Sequence, residues 1–209
     1  MQCFPASHIL TLAGTPRQRG RMHGESLRPV IHDLLERWKE SLAAACGVPA
    51  DEFIRGFLAD TRFLPVVETW TPDLLEEVRG MADGAGLEFD DLFVFQLQDE
   101  QWWYAEGLRK TSISSPGRCS SLAWRGRGKE PSLIAQNMDM PALLDGAQVV
   151  LRIKDESTGI HSLVFSTAGL IVLNGLNDCS IGVVCNNLGQ LHYSSRGLPV
   201  AFVLRGVLG

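Results

Sequence analysis

Apolar and polar positions alternate along "HILTLAG" (8–14), a two-residue period that predicts a strand ended by Gly14. The period then changes. Over 17–47, Ile31, Leu34, Leu35, Trp38, Leu42 and Ala45 recur at helical spacing, which predicts a helix broken near Pro29 and ended by Gly47 and Pro49. The stretch 51–70 also predicts helix, interrupted at Pro65. Thr71 followed by Pro72 reads as an N-cap with proline at the first helical position, so 72–83 is predicted helical. A turn over "DGAG" (83–86) leads into a further predicted helix over 88–103. From 119 onward the runs shorten. "CSSLAWR", "SLIAQNMD", "AQVVLRIKD", "HSLVFSTAG", "LIVLNGL" and "SIGVVCNNL" are short apolar or alternating segments separated by Gly, Asn, Asp or Pro. That spacing predicts antiparallel strands in a meander, followed by a last helix beginning at Pro199.

Charge shifts at the same place as periodicity. The chain has 209 residues and a formal net charge of −5. Residues 1–118 carry 12 Lys/Arg against 18 Asp/Glu, whereas 119–209 carry 7 against 6. An acidic balance weighs against a nucleic-acid partner. No apolar run reaches the length of a membrane span, and "MQCFPASHILTLAG" lacks the basic-then-apolar order of a secretory signal. The five cysteines are Cys3, Cys46, Cys119, Cys179 and Cys185. They form no C-x-x-C pair and no zinc spacing, so reduced thiols and a cytoplasmic setting are expected.

Cys119 stands at the boundary. Ser114, Ser115, Pro116 and Gly117 before it read as loop, and Ser120, Ser121, Leu122, Ala123 and Trp124 after it read as the start of a strand. A lone cysteine in a strand is usually a small buried hydrophobe, and Cys179 and Cys185 fit that description. Cys119 differs by its position after a loop and by Asp139 on the next predicted strand, which a hairpin would carry back beside it. A reactive thiol needs an activating base. The histidines are His8, His23, His32, His161 and His192, and none belongs to a recognisable Cys/His signature. Cutting the peptide bond before Cys119 would supply the base from within the residue, because a free α-amine has a pKa of about 7.7–8.0.

Four segments, in order, carry a resemblance. They are "GTPRQRGRMHGESLRPVI" (14–31), "TPDLLEEVRGMADGAGLEFDDLFVFQL" (71–97), "CSSLAW" followed by "AQNMDM", and "LNGLNDCSIGVVCNNLG" (173–189). Together they resemble the acyl-coenzyme A:6-aminopenicillanic acid acyltransferase family, the C45 peptidases, which are N-terminal-nucleophile hydrolases. The resemblance implies an α+β fold, a four-layer αββα sandwich incomplete at its C-terminal side. It implies a proenzyme cut between Arg118 and Cys119. Residues 1–118 would be a mainly helical α-chain and 119–209 the start of the catalytic β-chain, staying associated as one composite domain. Cys119 would be nucleophile and base, Asp139 would orient its amine, and Asn186 or Asn187 would stabilise the oxyanion. Gln136 resembles the acyltransferase branch, since the related bile-salt hydrolases place Arg there. The implied substrate is a small acyl amide or acyl-CoA, with no cofactor, metal, nucleic acid or membrane.

Each residue also has a structural reading. Asp139 could be a turn cap before Pro141, and "NNLGQ" could be turn chemistry. "MHGE" (22–25) is not H-E-x-x-H, so Gly24 is expected to serve close packing and Glu25 to be a helix-face charge. "GRGK" (126–129) reads as a hairpin turn. Trp102, Trp103 and Tyr104 are either core or the wall of an acyl pocket. Three functions follow: a self-processing amidohydrolase or acyltransferase; a non-catalytic member of the fold that binds a partner through a sheet edge; and a conventional thiol enzyme pairing Cys119 with His161.

Overall fold

The computed structural model describes residues 8–109, 119–187 and 193–209. Cys3, the loop Ser114–Gly117, the cleavage-site residue Arg118, the Leu188–Gln190 part of the "NNLGQ" turn and His192 lie outside them. The fold is mixed α+β. Strand β1 (His8–Ala13) leads to seven helices: α1 (Pro16–Ser26), α2 (Arg28–Cys46), α3 (Ala50–Asp60), α4 (Phe63–Trp70), α5 (Pro72–Ala85), α6 (Phe89–Gln96) and α7 (Gln98–Arg109). Then come β2 (Ser120–Trp124), β3 (Leu133–Asn137), a 3-10 turn at Ala142–Leu144, β4 (Gln148–Lys154), β5 (His161–Thr167), β6 (Asn174–Asn177), β7 (Gly182–Val183) and α8 (Val200–Val207).

The helical half is held by a close-packed pair. Thr15 and Gln18 form a capping box that starts α1. On α1, Gly20 and Gly24 lie against the carbonyls of Glu77 and Met81. On α5, Gly80 and Gly84 lie against those of Arg17 and Arg21. A Cβ at any of the four would collide with backbone, so the expectation that Gly24 serves packing holds, within a reciprocal glycine seam. Glu25 pairs with Arg21 at the surface, as a helix-face charge does. Beneath the seam, buried Glu77 meets Arg19 at 3.2 Å and Arg205 of α8 at 3.6 Å, and Arg19 reaches Asp155 of the β4–β5 turn at 3.4 Å. These pairings tie α1, α5, α8 and the sheet together.

Five strands form one sheet in the order β1-β4-β5-β6-β7, and β2-β3 form a separate two-stranded ribbon. The meander β4 to β7 is antiparallel, as the spacing predicts. β1 instead pairs parallel with β4, with Leu10 opposite Leu151 and Leu12 opposite Ile153. No short hairpin links these two strands, so nothing local imposes an antiparallel sense. One continuous core runs from Leu12 through the helices to Val149, Leu151, Val164 and Phe202, so the two halves of the chain share it. The opposite sheet face, with Ile9, Leu163, Phe165 and Leu176, is exposed. No closed sandwich is formed among the described residues.

Several element boundaries differ from the periodicity. The break in 51–70 falls at Thr61–Arg62, and Pro65 sits in the first turn of α4, where its missing N–H costs nothing. Thr71 makes no side-chain cap; its hydroxyl donates to the carbonyl of Val67 at 3.3 Å. The 88–103 helix is split at Leu97. Leu170–Leu173 is not a strand. Gln96, buried, donates to the Gly169 carbonyl at 2.6 Å and accepts from the Ile171 N–H at 2.9 Å, so this backbone is satisfied without a ladder. The "GRGK" segment does turn β2 into β3, with Gly128 at φ +63°.

Candidate active site

Ribbon register brings the sequence-derived residues together. Ser120 lies opposite Asn137 and Ser121 opposite Gln136, so Cys119 comes opposite Met138, just past β3 and next to Asp139. The half-buried Cys119 lines a cavity of about 390 Å³. Asp139 and Asn187 line the same cavity. Asn186 does not, but its Nδ2 donates to the Cys119 carbonyl at 3.3 Å, and its buried Oδ1 has no hydrogen-bond partner among the described residues. The two asparagines therefore have different jobs: Asn186 holds the backbone of Cys119, and Asn187 faces the cavity. Asn187 Nδ2 donates to Asp99 Oδ1 at 3.1 Å.

The ribbon is docked by amides. Gln136 Nε2 donates to the Cys185 carbonyl, and Gln136 Oε1 accepts from Asn174 Nδ2 at 3.3 Å. Ile134 fills the space above Gly182 of β7. The facing wall comes from α2, α7 and α8. Trp38 Nε1 donates to Gln101 Oε1 at 2.9 Å, which sets α7 against α2. Trp38, Leu42, Leu144, Leu170, Val172 and Leu204 make most of the cavity apolar. Of the aromatic cluster, Trp102 lines the cavity, with its buried Nε1 lacking a partner among the described residues. Tyr104 turns to Phe53 and Phe57 and donates to Asp60 at 2.7 Å, and Trp103 stacks on Tyr193. The cluster thus divides between pocket and packing.

Sequence reasoning missed Asp99, Glu100 and Cys185. Burial pushes Glu100 up to about 7, although the Val200 N–H donates to its Oε1 at 2.8 Å. Burial also raises Asp99, against the lowering effect of the Asn187 amide. The Cys185 thiol is raised by burial and by neighbouring Asp99, Cys119 and Glu100. A signal was present: Glu100 shares the buried face of α7 with Gln101 and Ala105, and a carboxyl on such a face points to a site. Together with Asp139, three carboxyls line the cavity, and its described lining includes no Lys, Arg or His. His161 is half-exposed beside Asp178 at 3.8 Å and lies outside the cavity, so it is not the partner of Cys119. His23 is buried and accepts from the Gly169 N–H, with burial lowering it to about 4. Among the described residues, no group of three His, Cys, Asp or Glu could hold a metal ion. None of their helices is long and apolar enough to cross a membrane.

A scan of the chain against protein-family models finds no match, and a search of curated proteins finds no significant relative.

Proposed function

We propose that the protein is a self-processing N-terminal-cysteine amidohydrolase or acyltransferase, working through a thioester on Cys119. The observation that carries this reading is the meeting of Cys119, Asp139 and Asn187 at one largely apolar cavity, with Asn186 holding the Cys119 carbonyl. In processing, Cys119 Sγ attacks the Arg118 carbonyl carbon. The C–N bond breaks, the thiol proton passes to the departing nitrogen, and water hydrolyses the resulting thioester to a carboxylate and a free thiol. The new α-amine then serves as base. In turnover it takes the thiol proton as Sγ attacks an acyl amide, and returns it to the leaving amine. Asp139 orients the amine, and Asn187 faces the developing oxyanion, a donation worth about 3 kcal/mol in comparable sites. The finer fold belongs to the same proposal: the five-stranded sheet is one layer of an N-terminal-nucleophile sandwich.

Electrostatics support the reading. Asp99 and Glu100 line the cavity with carboxyls that burial raises, and its described lining includes no Lys, Arg or His. A freed α-amine at Cys119 adds a base to this lining of carboxyls. Apolar lining suits the acyl part of a donor. The test is incubation with an N-acyl p-nitroanilide, followed by peptide mapping. An acyl mass on Cys119 that is absent from Cys119→Ala is expected; release of nitroaniline by Cys119→Ala at the native rate would sink the proposal. The exposed face at Ile9, Leu163, Phe165 and Leu176 favours the second reading, a binding module of the same fold, which an unreactive, uncut chain would support.

A further inference from the structure

A second cavity, of about 470 Å³, adjoins the first. Both volumes fall in the range of small-molecule sites. Met138, Met140, Leu144 and Leu173 line both. Continuing the ribbon register puts Met138, which lines both cavities, opposite Cys119, which lines the first. A donor attacked at Cys119 has two parts, and each has a cavity to occupy.

The two cavities differ in chemistry. The first is apolar with carboxyls. The second is half apolar, with Phe165 beside the shared residues, and half amide and hydroxyl, from Gln136, Asn137, Gln148, Thr167 and Asn174; it has no charged side chain among its described residues. Gln136 is committed at both ends, to the Cys185 carbonyl and to Asn174. Gln148 Nε2 has only a long 3.3 Å bond to the Leu144 carbonyl. Asn174 Nδ2 is committed to Gln136 and to Met138 Sδ, so the Gln148 amide and the Asn174 Oδ1 are what the cavity offers a ligand, in a setting that cannot neutralise an ion.

We infer that the second cavity is the leaving-amine subsite, and that it takes an amine bearing an uncharged amide group. This rests on the acyl-transfer reading above. Recognition is by hydrogen bonds to the Gln148 amide and the Asn174 Oδ1, with the apolar acyl group in the first cavity. An anionic amine loses its hydration without gaining a counter-ion, and an alkyl amine leaves the lining amides unpaired.

The test uses the native protein with N-decanoylglycinamide, N-decanoylglycine and N-decanoylpropylamine, read as kcat/KM for amine release. Glycinamide is expected to exceed both others by about tenfold or more. Gln148→Leu should narrow the glycinamide-to-propylamine ratio, and Gln148→Lys should raise the glycine donor relative to glycinamide. Equal kcat/KM for the three donors, or a native preference for glycine, overturns the inference and leaves the acyl-transfer reading standing. Absence of any acyl mass on Cys119 from all three donors overturns that reading and the subsite with it.

Discussion

The two walls of the Cys119 cavity are built in opposite ways. The helical wall belongs to the core: Trp38 is 3% exposed, packs edge-on against Phe95 at 5.3 Å and is hydrogen-bonded to α7. The ribbon wall has scarcely any core. Every residue of β2 is exposed, Leu122 at 66%. It is located by the amides of Gln136, Asn174 and Asn186. One wall is held by apolar burial and the other by a few directional bonds. On the proposed reading, the new chain terminus at Cys119 opens this exposed ribbon and not the core.

Substitutions can break that contrast. Trp38→Ala empties the rigid wall and should cost about 3–5 kcal/mol in denaturant unfolding; a loss below 1 kcal/mol would show that the helical wall is not a core. Glu100 tests the same wall through pH. Its carboxyl titrates near 7 when folded against an ordinary 4.5. The folded state binds the proton more tightly, so the stabilisation is complete below about pH 4.5 and is lost as pH rises through 7. The loss is roughly 3 kcal/mol, and Glu100→Gln should flatten that slope in unfolding measured from pH 4 to 8. Gln136→Leu removes the ribbon's donor to Cys185 and should cost about 1 kcal/mol. Amide exchange should rise in 133–137 while the α1–α5 seam stays protected. Leu122→Ala, on the exposed wall, should change stability by no more than about 0.5 kcal/mol.

Local chemistry was legible in the sequence where local rules decide the outcome. The β2–β3 hairpin follows from two alternating runs around "GRGK", and its register is what returns Asp139 to Cys119. Gly47 ends α2 in a left-handed turn, as its position announced. Non-local features were hidden. The pairing of β1 with β4 is parallel and spans most of the chain, beyond the reach of periodicity. The backbone at Gly169–Ile171 looked like a strand because it is apolar, yet a glutamine side chain from α6 supplies its bonds. Asn186 and Asn187 could not be separated by pattern, since a one-residue shift changes the face; the structure assigns one to the Cys119 backbone and the other to the cavity. Glu100 was overlooked because its helix also carries acidic residues at half-buried positions, Asp99 and Glu106, and the pattern alone does not separate them.

The central claim is that Cys119 becomes a chain terminus, and intact mass spectrometry of the purified protein tests it most directly. The account expects two chains divided between Arg118 and Cys119, which co-elute until denatured. A single chain of 22.9 kDa with Cys119 internal would contradict it.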